Sequence, residues 1–270
     1  MPPELEPKPE PKPDKDAPGI PELAVPAKPD TREPAAPARV LSIHAHPDDQ
    51  EFTVGGTLAK WARLGSHVVT VCITSGGVGS NEHTPPDMTR DALVPIREEE
   101  QRQACRVLGI SEVVFLGYED GLLESTLALR RELSRVIRRH RPDAVVCGDP
   151  TVRYYGSMYM NHPDHRAASD AALDAVFPSA ETRLIFPELL GEGLEPHKVS
   201  AVFIHGSETP DTFIDISDVL TVKLAALKEH RTQMGTWDPT EMITGWAAMQ
   251  GAARKLEAAE SFRVMRLHDS

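Results

Sequence analysis

The chain has 270 residues and a formal charge of −12, with 24 prolines and three cysteines. An acidic chain repels polyanions, so nucleic acid is not expected as a partner. No window approaches the ~18 apolar residues needed to span a bilayer.

Residues 1–37 carry 12 of the 24 prolines, interleaved with Glu, Lys and Asp. Such a segment cannot bury enough apolar surface to offset its ordering entropy, and it reads as a disordered or polyproline-like arm. It has neither the basic start nor the apolar stretch of a signal peptide. Residues 38–270 then form one domain, large enough for a sizeable core. Cys72, Cys105 and Cys147 form no C-x-x-C pair. Each lies in an apolar run, which suits buried thiols in a reducing compartment. The expectation is a soluble, cytoplasmic protein without a membrane partner; a homo-oligomer is compatible with the sequence.

In chain order, Val40-Leu41-Ser42-Ile43 reads as a short strand, and residues 56–64 as a helix closed by Gly65. Residues 67–74 are a β-branched run. Pro95 opens a longer helix ending at Gly109, and residues 113–116 form a third strand. Residues 125–140 are helical up to Pro142, and residues 144–147 are a fourth strand. Residues 164–176 are alanine-rich and helical. A strand over residues 199–205, helices over 219–230 and 242–257, and a last strand at 262–264 complete the pattern. Strands alternating with helices of this length imply βαβ units and a mostly parallel α/β sheet. Ligands of such sheets sit beyond the carboxyl ends of the strands.

Two clusters lie at such ends: His46-Pro47-Asp48-Asp49 after the first strand, and His162-Pro163-Asp164-His165 after the fourth. A separation of three residues at a helix entry turns both side chains to one side, so His46 and Asp49 can chelate one ion. The same holds for His162 and His165, with Pro163 suited to a first helical turn. Four ligands would close a structural site. A catalytic site leaves one unbound and keeps a position for water, and on spacing alone either histidine of the second cluster can be that one. Zn²⁺ and Fe²⁺ both suit these donors. Asp48, between two ligands but pointing elsewhere, is placed to take a proton from metal-activated water. The unbound histidine can stabilise an oxyanion.

Weaker signals receive structural readings. Gly76-Gly77-Val78-Gly79 does not complete a dinucleotide fingerprint and reads as a flexible active-site loop. His44 packs beneath the site. His67, His83, His140, His197, His205 and His230 have no partner at ligand spacing. Ser75 lacks a nucleophile elbow, which argues against a serine hydrolase. The motifs supply too few bridging carboxylates for a two-metal phosphoesterase. A non-catalytic metal-binding module is the alternative from a different class.

The stretch Ala45-His46-Pro47-Asp48-Asp49 with Gly55-Gly56-Thr57, and then Asn161-His162-Pro163-Asp164-His165-Arg166, resembles the PIG-L/LmbE-like family of zinc-dependent N-acetylglucosaminyl deacetylases. Thr74-Ser75-Gly76, Arg97-Glu98-Glu99-Glu100 and Gly117-Tyr118-Glu119-Asp120-Gly121 add to the likeness, which runs from about Arg39 to Arg266. The resemblance implies a Rossmann-like three-layer sandwich. It implies His46, Asp49 and His165 as metal ligands, Asp48 as general base, and His162 as the imidazole at the oxyanion or leaving group. It places Arg97 and Asp120 where the family binds sugar hydroxyls. The implied substrate is a small N-acetylated amino sugar or its conjugate, with a bulkier sugar–thiol amide as the alternative. Gln50 stands where Glu is common in the family, and Met160 where some members have a mobile tyrosine; Tyr154, Tyr155 and Tyr159 lie nearby.

Overall fold

A computed structural model describes residues 33–268. Most of the expected proline-rich arm lies outside the described residues. Residues 33–37 carry no helix or strand, although Glu33 pairs with Lys60 at 2.7 Å.

The first half is built of parallel units. β1 (Arg39–His44) leads through α1 (Asp49–Thr53) and α2 (Gly55–Arg63) to β2 (His67–Thr74), and α3 (Arg90–Leu108) leads to β3 (Glu112–Tyr118). α4 (Leu127–His140) returns the chain to β4 (Ala144–Gly148) on the other side of β1. A small hairpin follows, β5 (Tyr154–Tyr155) and β6 (Tyr159–Met160), and then α5 (Pro163–Asp174) and α6 (Glu188–Gly191). β7 (Ala201–His205) is parallel to β4. After β8 (Thr212–Asp215) come α7 (Leu220–Leu227), α8 (Arg231–Met234), α9 (Thr240–Ala252) and β9 (Ala259–Arg266).

The seven-stranded sheet runs β3-β2-β1-β4-β7-β9-β8, with only β9 and β8 joining antiparallel. Both faces are covered, as a parallel sheet requires. Leu41, Ile43, Val69 and Val71 pack with α4 and α5 on one face. Val40, Val68, Val146 and Phe203 pack with α2, α3 and α7 on the other. This is the expected α/β three-layer architecture. The strand order reverses between β1 and β4, so the crevice lies where both histidine clusters leave the sheet.

Several element bounds differ from expectation. α3 begins at Arg90 rather than Pro95, because the Thr89 side chain accepts from Ala92 N and starts the helix earlier. Pro95 then sits inside the helix, at the loss of one backbone bond. The hairpin β5–β6, the strand β8 and the short helices α1, α6 and α8 had no counterpart in the sequence reading. All three cysteines are free and buried, as expected. Among the described residues no helix is long and apolar enough to cross a membrane.

Candidate metal centre and active site

The turn after β1 is strained and heavily braced. Asp48 adopts φ 91° and ψ −26°, a left-handed conformation that costs a side-chain-bearing residue about 1–3 kcal/mol. Its backbone N–H donates to Gln101 Oε1 at 2.9 Å. Its carboxylate Oδ2 accepts from Arg97 Nη2 at 2.9 Å, and the same nitrogen donates to Pro47 O at 2.6 Å. Arg97 Nη1 donates to Gly76 O at 3.0 Å. The guanidinium is buried, and its two terminal nitrogens serve this turn while Nε has no partner among the described residues. The glycine run makes room for it: a Cβ on Gly76 (φ 66°) would lie 2.0 Å from Arg97 Nη1. Burial pushes the Asp48 carboxyl up, with Arg97 restraining the rise.

A buried polar layer lies behind this turn. Gln101 Nε2 donates to Glu51 Oε1 at 3.0 Å, and Gln50 Nε2 donates to the same oxygen at 2.7 Å. Glu51 Oε2 lies 3.2 Å from His230 Nε2, and neither side chain reaches solvent. Burial opposes a charge on His230, yet Glu51 beside it holds the ring's pKa above its usual value. The structural role expected for His230 is therefore to anchor the turn from the α7–α8 junction, across a sequence separation of 179 residues.

Asp49 opens α1 and faces both histidine clusters. Its Oδ2 accepts from His46 N at 2.9 Å and lies 3.5 Å from His46 Nδ1, while Oδ1 is 3.0 Å from His165 Nε2. Burial alone would raise its pKa, but the His165 and His46 rings hold it well below the usual carboxylate range.

The second turn is the start of α5. His162 is its cap, with Nδ1 accepting from Asp164 N at 3.2 Å and Pro163 in the first turn. His165, on the same face one turn in, has Nδ1 3.3 Å from Asn161 Oδ1. The His46 ring centroid lies 5.0 Å from that of His162 and 5.2 Å from that of His165. Residues 116 and 119 positions apart in the sequence thus share one site.

The other side of His46 is acidic. Its Nε2 is 3.0 Å from Asp120 Oδ1 and 3.3 Å from Asp164 Oδ2. Asp120 also accepts from Val78 N, and Asp164 from Gly121 N and Leu123 N. Burial disfavours a charged His46, but Asp49, Asp120 and Asp164 outweigh it and its pKa is pushed up to about 12. Beneath, His44 bonds Ser42 Oγ at 2.8 Å and stacks on His205, as a residue packed under the site should.

Two groups of ligand atoms lie within 4.8 Å of one another among the described residues, His46/His162/His165 and His46/Asp120/Asp164. Asp49 abuts two members of the first group. Four carboxylates and three imidazoles converge here against a single guanidinium. This half-buried, sulfur-free donor set fits a divalent cation of the zinc or ferrous type. A carboxylate holding the far nitrogen of a histidine is also the usual support for a metal ligand.

Every site residue expected from the sequence is therefore at or beside this crevice. Arg97 and Asp120, expected at sugar hydroxyls, make their observed bonds to Asp48 and His46. Four contributors went unassigned in the sequence: Glu51, Gln101, Asn161 and Asp164. Asp164 and Asn161 stand within the second motif itself, where a signal is present; Glu51 and Gln101 have none.

The PIG-L family profile, described as GlcNAc-PI de-N-acetylase, matches residues 41–176, which span both histidine turns. The chain belongs to the PIG-L family. A PIG-L relative, the diacetylchitobiose deacetylase of Thermococcus kodakarensis, is 34% identical over 206 residues, covering 74% of each chain. The 1D-myo-inositol 2-acetamido-2-deoxy-alpha-D-glucopyranoside deacetylase of Actinosynnema mirum is 28% identical over 84% of this chain and 92% of its own. Among solved structures, N,N'-diacetylchitobiose deacetylase from Pyrococcus horikoshii superposes with a TM-score of 0.77 at 30% identity. That match covers 85% of this chain and 84% of the other.

Proposed function

We propose that this PIG-L protein is a metal-dependent N-deacetylase that releases acetate from an N-acetylglucosamine-type sugar or its conjugate. The observation that carries the reading is the meeting of Asp49 with both His46 and His165, 3.5 Å and 3.0 Å away. These three residues would hold the ion, Zn²⁺ or Fe²⁺. The chemistry an ion supplies there is acidified water and positive charge for a developing oxyanion.

The protein's own groups do the rest. Asp48 takes the proton from the attacking water: burial favours its protonated form, and Arg97 fixes its carboxylate in one orientation. Because His162 Nδ1 accepts from Asp164 N, the proton of the neutral ring sits on Nε2. That N–H can donate to the carbonyl oxygen as it gains charge, and the proton that Asp48 took from water passes on to the departing amine. Asp120 and Asp164 keep His46 oriented through its Nε2. Three buried thiols suit a reducing compartment, and we place the enzyme in the cytoplasm.

Acetate release from GlcNAc, N,N'-diacetylchitobiose and a thiol–sugar conjugate, before and after chelation and after Zn²⁺ or Fe²⁺ is restored, tests this reading. The expected result is activity lost on chelation, with far-UV circular dichroism unchanged, and regained with metal. Activity indifferent to chelator would refute a metal-dependent reaction. Unfolding on chelation, with no activity at any stage, would make the cluster a structural ion site. Preference for the conjugate would identify an amidase of bulkier amides.

A further inference from the structure

Between β4 and His162 the chain makes the hairpin β5–β6, in which Tyr154 pairs with Met160 and Tyr155 with Tyr159. Its composition and its exposure are at odds. Tyr154, Tyr155, Met158, Tyr159 and Met160 are all exposed, within a span of seven residues. The pairing puts Tyr155 and Tyr159 on one face of the hairpin and Tyr154 and Met160 on the other, with Met158 at the tip.

The hairpin is not a loose flap. Asn161 N donates to Arg153 O and Asn161 Nδ2 to Val152 O, both at 2.8 Å, and Asn161 Oδ1 reaches His165 Nδ1. One residue thus ties the base of the hairpin to the second histidine turn. The far side rests on the end of β7, where a Cβ on Gly206 (φ 71°) would lie 2.6 Å from the Tyr155 hydroxyl oxygen. Tyr159 precedes His162 by three residues, so their Cα atoms lie within about 11 Å. The Tyr155 and Tyr159 ring centroids are 6.0 Å apart, inclined at 35°. Two half-open aromatic faces therefore begin at the rim of the crevice and lead away from it over the carboxyl edge of the sheet.

A pyranose offers a flat face of C–H groups edged by hydroxyls. Tyrosine, with an apolar ring and a polar tip, matches both features at low entropic cost. We propose that the hairpin is a carbohydrate-stacking platform, on which Tyr155 and Tyr159 hold the sugar ring adjoining the N-acetylated one. The substrate class this selects is an N-acetylated oligosaccharide of two or more rings, in preference to a free monosaccharide. The proposal rests on the deacetylase reading above.

The test compares GlcNAc with N,N'-diacetylchitobiose in the full-length, metal-loaded protein. Tyr155→Ala/Tyr159→Ala should lower the disaccharide-to-monosaccharide ratio of kcat/KM about tenfold, while Met158→Ser, at the exposed tip, leaves that ratio alone. Saturation-transfer NMR of chitobiose with chelator-treated protein supplies a readout free of catalysis, and the second ring should lose its contact signal in the double variant. Deacetylation with an unchanged ratio overturns the platform and spares the deacetylase. Second-ring contact that depends on the tyrosines, without turnover in any form, supports the platform and overturns the deacetylase. A wild-type protein that elutes as an oligomer and a double variant that elutes as a monomer would mean that a second copy covers this face, which also overturns the platform.

Discussion

The two turns that meet at the crevice are built on opposite plans. The His46–Asp49 turn is sunk between strand and helix, with a left-handed aspartate held by Gln101 and Arg97, and with the Glu51–His230 pair bracing Gln101 from behind. The His162–His165 turn is an ordinary helix start, with side chains 41% and 33% exposed and one asparagine for support. On the roles proposed above, the difference separates two tasks. A proton acceptor must be fixed to within fractions of an ångström and partly shielded from water. Groups that meet the substrate's leaving side must instead stay open to it.

The largest effect should come from breaking the sunken turn at its tip. Asp48→Ala is expected to cost roughly 10²–10⁴-fold in kcat. Metal content, read by elemental analysis, should stay at the wild-type level. Near-normal acetate release by this variant would dismiss Asp48 as the base.

On the open turn, Asn161→Ala frees the second nitrogen of His165. Loss of such outer support typically weakens metal binding by about 10–100-fold. Competition with a chromophoric chelator measures it, and an unaltered affinity would show that His165 needs no orienting partner.

Gln101→Leu probes the bracing alone. It strips a partner from both Asp48 N and Glu51, each loss worth about 1–3 kcal/mol when buried. Urea unfolding should register the destabilisation. A fall in kcat with KM unchanged would distinguish a displaced Asp48 from a merely weakened core; equal kcat in a less stable protein would contradict a positioning role.

The smallest effect concerns the floor beneath the sunken turn. Burial depresses the His44 pKa from 6.5 to about 4. Between those values the unfolded chain binds the proton that the folded protein refuses. The contribution of neutral His44 is therefore complete above pH 6.5 and is lost as the pH falls toward 4. His44→Gln should flatten the slope of stability against pH in that window. An identical slope in the variant would mean that His44 is already protonated in the folded state.

How far the sequence foretold this arrangement depended on the range of the interaction. The runs around Val40, Val68 and Val145 announced parallel strands because burial on both faces demands β-branched residues throughout. Likewise, three-residue spacing brought His46 to Asp49 and His162 to His165, since each pair shares a single turn. Pro95 misled because proline favours a first helical turn, and the cap at Thr89 overrode that preference. β8, only four residues long, and the two-residue strands of the hairpin are too short to show alternation. Glu51 with His230 and Asp48 with Gln101 were invisible for a different cause. Periodicity reports which face is buried, and it is silent about which polar groups meet there from distant segments.

Glu260, in β9, accepts from Gly56 N and Thr57 N at 2.9 and 2.7 Å and is neutralised by Lys223 at 2.6 Å. The last strand thus clasps the start of α2, just past the sunken turn. During translation the ribosome must deliver residue 260 before this clasp can close on the segment behind the sunken turn. A nascent chain halted short of residue 260 would carry both histidine motifs and still lack this clasp.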